Sequence, residues 1–146
     1  MATQQFPTFS SVYTGDTASS AQTVVLRDTD ASINVGEVNA TALDLSGQLE
    51  IPTASKTTTY TAAGDVLIDC DATSGAVTVN LPAAAGVPGR VYMIRKTDAT
   101  ANAVIIDPSG SETINGATTL SLAGQYDSVA IVCNGTDWRV ISSYSI

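Results

Sequence analysis

The chain has 146 residues, of which 44% are hydrophobic and only 5% aromatic, and it carries a formal net charge of −8 at pH 7. A chain of this length can bury roughly two thirds of its unfolded surface around one core, and its acidic balance argues against a nucleic-acid partner, because phosphate neutralisation needs clustered Lys and Arg. No apolar run is long enough to span a membrane, and the first residues lack the basic start and apolar core of a secretory signal, so we expect synthesis in a cytosol.

Residues 1–23 predict an extended N-terminal arm. The stretch FPTFSSVYTGDTASSAQ combines Pro, Gly and small polar residues without the periodicity of a helix or a strand. Its aromatic side chains need a surface outside the arm to bury them, which is either a partner protein or the β domain of the same chain. The candidate partner-binding residues are Phe6, Phe9 and Tyr13.

Residues 24–56 predict a short β segment used in oligomerisation. Its apolar residues come in pairs, the last of them Leu49 with Ile51, and Gly36 and Gly47 interrupt the series. Such short strands cannot offset the ordering entropy of so many residues, so we expect them to pair with the rest of the chain or with copies of themselves. The candidate oligomerisation residues are Ile33, Val35, Val38, Leu43, Leu45, Leu49 and Ile51.

Residues 57–146 predict an all-β module, a compact antiparallel β-sandwich or barrel-like domain, because short alternating runs are separated by Gly, Pro and Asn turn residues. The predicted strands span 58–61, 66–70, 76–81, 90–96, 104–107, 118–122, 128–133 and 138–142. Period-two alternation assigns these residues to the inner face: Val66, Ile68, Cys70, Val77, Val79, Leu81, Leu120, Leu122, Val129, Ile131, Cys133, Trp138 and Val140.

The sequence offers little for catalysis. It contains no His, which excludes His-dependent triads, proton shuttles and imidazole metal sites. DCDATSG contains a D-x-D that could hold a calcium ion, but a strand end with a turn explains it better. Nearly all carboxylates that could form a pair for glycoside hydrolysis lie beside turn residues, where Asp caps local backbone; they are Asp65, Asp69, Asp71, Asp107, Glu112, Asp127 and Asp137. We expect no catalytic, cofactor or metal residue and no enzyme activity. Cys70 and Cys133 lie in apolar runs and are expected to be buried free thiols rather than a disulfide.

Several motifs in residues 57–141 resemble a small β module of tailed-bacteriophage structural proteins. They are, in order, DATSGAVTVNLP, GRVYMIRKTD, IDPSGSETING, QYDSV and NGTDW. The resemblance implies a virion component, since the module occurs in capsid-associated proteins and at the ends of tail fibres and spikes. The phrase INVGEVNATALDLSGQLEI is similar to the Gly-punctuated β repeats that intertwine as trimers in phage fibres.

The resemblance leaves the position in the virion open. The short stretch before the module leaves no room for a fibre shaft, which favours a homotrimeric capsid cement or decoration protein bound to the major capsid protein on the outer capsid surface, after synthesis in the host cytoplasm. The alternatives are a baseplate or neck subunit and a short tail-fibre or tail-spike module that recognises host carbohydrate. For carbohydrate the available aromatic residues are Tyr92, Tyr126, Trp138 and Tyr144.

Overall fold

The structure is a computed structural model that describes residues 49–145, all within one compact unit, Leu45–Ile146. The described residues are mostly strands with a single short 3-10 turn, which confirms the all-β class. None of their helical residues forms a helix long and apolar enough to cross a membrane. In chain order the elements are β1 (Thr53–Lys56), β2 (Tyr60–Thr61), β3 (Leu67–Cys70), β4 (Val77–Asn80), the 3-10 turn (Ala84–Gly86), β5 (Val91–Lys96), β6 (Val104–Asp107), β7 (Leu120–Leu122), β8 (Ser128–Cys133) and β9 (Trp138–Tyr144).

The strands form two open mixed sheets, one with the order β1-β3-β5-β8-β9 and one with the order β2-β4-β6-β7. The β1/β3, β3/β5, β2/β4 and β4/β6 pairs are parallel, and the β5/β8, β8/β9 and β6/β7 pairs are antiparallel. The prediction of an antiparallel domain is therefore wrong for the first six strands, and a closed barrel is excluded.

The reason for the parallel pairing is the path of the chain, which alternates between the two sheets from β1 to β6. Parallel neighbours need a crossover connection. Here each crossover is a strand of the other sheet instead of a helix. Short turns between consecutive strands suggested hairpins, but these turns carry the chain from one sheet to the other.

All eight strands predicted for residues 57–146 are present, and their observed ends differ from the predicted ends by small shifts. The predicted short strand of Leu49 with Ile51 is wrong: both residues precede the first strand and are exposed. The chain joins the five-stranded sheet only after Pro52, whose carbonyl accepts hydrogen bonds from the N–H groups of Val66 and Leu67. The sequence of β1, TASK, is polar, so its hydrophobic pattern gave no signal.

The predicted inner face is largely confirmed. Both sheets contribute to one buried cluster, in which Trp138 and Tyr92 are the largest side chains and lie with ring centroids 5.6 Å apart. Leu120 and Val140 pack against this cluster while partly exposed, and Val66 is half-buried. The other predicted inward residues are buried: Ile68, Cys70, Val77, Val79, Leu81, Leu122, Val129, Ile131, Cys133 and Trp138.

Candidate functional site

Most of the residues proposed for partner binding and oligomerisation lie outside the described part of the chain. This applies to Phe6, Phe9, Tyr13, Ile33, Val35, Val38, Leu43 and Leu45. Leu49 and Ile51 are described, and both side chains are exposed at the entry to β1, by 70% and 41%. Two apolar side chains thus face solvent just before the five-stranded sheet begins.

Six of the seven carboxylates that could serve catalysis accept hydrogen bonds from neighbouring groups and so hold local structure. The Asp71 carboxylate accepts a hydrogen bond from the N–H of Thr73, and hydrogen bonds to Thr73 lower its pKa. Asp69 of the D-x-D stretch is engaged by Arg95, so its carboxylate is not directed at the turn that follows. Within residues 49–145 no group of three or more His, Cys, Asp or Glu side chains could hold a metal ion. The other carboxylates also bind neighbours: Asp65 with Tyr60, Glu112 with the Ala84 N–H, Asp127 with the Ala123 and Gly124 N–H groups, and Asp137 with Thr113.

The motif Lys96-Thr97-Asp98 forms a buried structural centre. The Lys96 side chain is fully buried, and its ammonium lies 2.5 Å from the Asp98 carboxylate, itself only 6% exposed. The Asp98 carboxylate also accepts hydrogen bonds from the N–H groups of Ala72 and Thr100, while the Thr97 hydroxyl donates to the Cys70 carbonyl. This motif therefore ties the end of β5 to the loop after β3.

The remaining resembling motifs also build the fold. Asn115 and Gly116 have positive φ values of 49° and 87° and make the tight turn between Ile114 and Ala117. The Asn134 side chain accepts hydrogen bonds from the backbone N–H groups of Thr136 and Asp137. The residues of these motifs therefore form turns, caps and core contacts of the β domain.

The aromatic residues considered for sugar binding divide into two groups. Tyr92 and Trp138 are fully buried, and the Tyr92 hydroxyl donates to the Ala63 carbonyl. Tyr126 and Tyr144 are exposed by 51% and 58%. Tyr126 precedes β8 with a φ of +67°, and its N–H donates to the Lys96 carbonyl.

A groove on the outer face of the five-stranded sheet is a candidate site. Strand register places Met93 beside Ala130 and Ala130 beside Ser142, and it places Arg95 beside Ser128 and Ser128 beside Tyr144. Small side chains of β8 and β9 therefore lie between larger side chains on either side. The result is an open groove of about 240 Å³, lined by Leu67, Met93, Ile94, Arg95, Ser128, Val129, Ala130, Ser142, Ser143 and Tyr144.

Among residues 49–145, the one charged side chain that lines this groove, Arg95, is held by an ion pair. The Arg95 guanidinium makes two parallel hydrogen bonds to the Asp69 carboxylate, at 2.9 and 2.8 Å, across the β3/β5 pair. These hydrogen bonds raise the pKa of Arg95 above its already high ordinary value. The groove thus presents a planar, fixed and electrically balanced pair beside apolar and hydroxyl groups.

The sequence contains a signal for this groove, which is a set of apolar residues at outward-facing strand positions. Leu67, Met93 and Ala130 occupy outward parity in their strands, where most other outward positions are polar. Apolar residues at outward positions of adjacent strands indicate a surface patch. Their lateral alignment, however, depends on the β3/β5/β8 pairing, which alternation alone does not specify.

The two cysteines are buried free thiols, as predicted. Burial raises the pKa of Cys70 to about 11, which keeps this thiol protonated at neutral pH. The Cys133 thiol lies 3.2 Å from the Ala84 carbonyl, to which it donates. Both residues therefore serve the core as small apolar side chains.

No protein-family model matches the chain, and no curated protein matches it. The likeness to the phage module therefore depends on the quoted motifs themselves. Their residues form the ion pair, the turns and the core contacts described above, so the likeness concerns the fold of residues 57–141.

Proposed function

We propose that the protein is a structural component of a tailed-phage virion and acts as a capsid cement or decoration protein. In this role it binds junctions between capsomers of the major capsid protein on the outer capsid surface, after synthesis in the host cytoplasm. The observation that carries the proposal is that residues of the phage-like motifs hold the β domain together. The most important of them are Lys96 and Asp98. Six of the seven carboxylates that could have served catalysis are occupied by backbone and side-chain donors, which supports a structural role.

Cementing requires buried surface across a junction. A standard protein interface buries about 1,600 Å² in total, and a symmetric lattice repeats that contact many times. Aromatic side chains carry much of the energy of such interfaces, so Phe6, Phe9 and Tyr13 are the proposed anchors on the major capsid protein. The net charge of −8 is consistent with protein partners and with the absence of a nucleic-acid or membrane partner.

The finer architecture belongs to the same proposal. The two sheets share one buried cluster, which supports a β-sandwich for this module. A homotrimer fits the threefold positions of an icosahedral lattice, and the exposed Leu49 and Ile51 at the entry to β1 supply apolar surface for self-association. Light scattering of the purified chain tests this point: a trimer has about three times the 14.9 kDa of one chain, and a monomer would contradict it.

Binding to undecorated phage heads tests the function. Full-length chain is expected to co-sediment with heads and to raise their resistance to heat or chelator, and deletion of residues 2–15 is expected to abolish both effects. A matched variant with Phe6, Phe9 and Tyr13 changed to Ala keeps the length of the arm and separates the anchors from the arm itself. Undiminished binding by the truncated chain would refute the role of the arm, and no binding by the full chain would refute the cement function.

A further inference from the structure

We propose that the groove on the outer face of the five-stranded sheet binds a neutral saccharide. Tyr144 provides the stacking surface, Met93 and Leu67 provide apolar walls, and Ser142 and Arg95 provide hydrogen bonds. This binding site is additional to capsid cementing and does not depend on it. It also differs from the sequence expectation, because the buried Tyr92 and Trp138 take no part.

The shape of the groove follows from the strand register. Ala130 and Ser128 of β8 form a floor of small side chains, Met93 and Arg95 of β5 rise on one side, and Tyr144 of β9 rises on the other. The volume of about 240 Å³ is slightly below the roughly 300–1,000 Å³ of pockets for drug-sized ligands. An open groove of this size suits a short stretch of a sugar chain that continues into solvent at both ends.

The chemistry of the lining matches a sugar ring, which has apolar C–H faces and a rim of hydroxyls. Tyr144 is exposed by 58% at the edge of the groove, so its ring is available to a C–H face. The Ser128 and Ser142 hydroxyls make no hydrogen bond within the described part of the chain. Hydroxyl groups that both donate and accept are suited to the mixed donor and acceptor rim of a sugar.

The charges favour a neutral ligand. Arg95 is paired with Asp69 by two hydrogen bonds, so the guanidinium presents its remaining N–H donors without an uncompensated positive charge. A carboxylated or sulfated sugar would have to compete with Asp69 inside a chain of net charge −8. A neutral hydroxyl can accept a hydrogen bond from Arg95 while the ion pair stays intact.

An extended peptide fits the groove less well. The groove crosses β5, β8 and β9, and the backbone groups between these strands are already paired with each other. A peptide that lies within the groove therefore gains no main-chain hydrogen bonds there, unlike one that adds to the outer edge of β9. Recognition in the groove depends on side-chain contacts alone, and those contacts are an aromatic ring, hydroxyls and a neutralised guanidinium.

Tyr126 lies near the same sheet face, because its N–H donates to the carbonyl of Lys96 at the end of β5. Its side chain is exposed by 51%, and its backbone adopts a φ of +67°. This left-handed conformation is unfavourable for a bulky side chain. An exposed aromatic residue held in a strained conformation beside a groove is a common feature of binding sites.

The test uses the full chain on an array of neutral hexose and N-acetylhexosamine oligosaccharides together with sialylated and uronic-acid members. Binding to neutral members is expected, followed by calorimetric titration with the neutral oligosaccharide that gives the strongest signal. Tyr144→Ala is expected to weaken that binding about tenfold, the range of one aromatic contact. Ile141→Ala is the matched control, because Ile141 lies on the same strand and is exposed by 59% but does not line the groove.

A second variant covers the case in which Tyr144→Ala fails to fold. Ala130→Leu fills the floor of the groove while Tyr144 remains, and it should abolish binding with an unchanged unfolding transition in Trp138 fluorescence. The proposal is overturned by a blank array, by binding of acidic members alone, or by equal affinities of the Tyr144→Ala and Ile141→Ala chains. It is also overturned if Tyr144→Ala lowers the solution mass or the binding to heads, because the groove would then be a protein interface.

Discussion

Replacing Lys96 by Met should destabilise the β domain strongly, whereas the same replacement at the neighbouring Arg95 should have little effect. Both residues belong to β5 and both form an ion pair with an Asp, but the pairs differ in burial. The Lys96 and Asp98 side chains are 0% and 6% exposed, against 44% and 27% for Arg95 and Asp69. Met keeps most of the apolar stem of either side chain, so the comparison isolates the charge.

The expected loss in the free energy of unfolding depends on the hydrogen bonds that Asp98 keeps in Lys96→Met. Removing one partner of a buried ion pair costs about 3–5 kcal/mol, because a charge remains buried without compensation. In Lys96→Met the Asp98 carboxylate still accepts hydrogen bonds from Ala72 and Thr100, which places the loss near the lower end, about 3 kcal/mol. Exposed pairs contribute about 0.2–1 kcal/mol, so Arg95→Met should cost less than about 1 kcal/mol.

Urea unfolding followed by Trp138 fluorescence measures the difference. Trp138 is the single Trp of the chain and lies in the core of this domain, so its signal reports on the domain itself. With a slope of about 1.5 kcal/mol/M, a loss of about 3 kcal/mol moves the midpoint by about 2 M. Equal midpoints for Lys96→Met and Arg95→Met at unchanged slope would refute the buried ion pair as a main source of stability.

Three further outcomes are expected. Burial alone would raise the pKa of Asp98, but its hydrogen bonds from Lys96 and Thr100 outweigh burial and hold the pKa far below 3.8. A lowered folded pKa contributes stability that is present above the unfolded pKa and is lost as the pH falls towards the folded pKa. The urea midpoint should therefore drop between about pH 5 and about pH 2, and it should drop less in Asp98→Asn; parallel pH profiles would contradict this. Tyr126→Gly should cost no stability, because Gly relieves the φ of +67°, whereas Tyr144→Gly in an extended strand should cost about 1 kcal/mol in the same unfolding assay; equal losses would contradict the strain. Cys70 and Cys133 should resist an aromatic disulfide reagent at about pH 8 in the native chain and react fully in urea, and rapid native labelling would show that the core opens easily.

The inner faces were predictable because the alternation of apolar and polar residues within a strand shows which of its side chains are buried. Val77 and Val79 alternate with polar residues, and both are fully buried. Such local alternation needs no knowledge of the partner strand. The same reasoning failed at β1, whose polar sequence TASK pairs, among the strands that the structure describes, only with Leu67–Cys70. An edge strand with little buried surface carries too weak a hydrophobic pattern to be found from the sequence.

Strand pairing was not predictable, because it is a relation between distant segments. The residues between β3 and β4, DATSGA, have the composition of a hairpin turn, and Asp71 does cap Thr73 there. Yet β3 pairs with β1 and β5, and β4 pairs with β2 and β6. A turn fixes how sharply the chain reverses, but the sheet that receives the next strand is decided by burial in the shared core.

The candidate site could not be predicted from the sequence either, because it also depends on strand pairing. Tyr144 and Arg95 are far apart in the sequence, and each is separately an exposed residue of a strand. They meet across Ser128 only because β8 lies between β5 and β9 and because a register shift after Ala130 brings Tyr144 level with Ser128. Without that shift, strand alternation would place the Tyr144 ring on the opposite face of the sheet. The irregularity in β9 is therefore the feature that brings Tyr144 to the groove face in this sequence. Deletion of Ile141 removes only the extra residue, because Val140 stays opposite Ile131 and Tyr144 stays opposite Ser128, so this variant should retain saccharide binding.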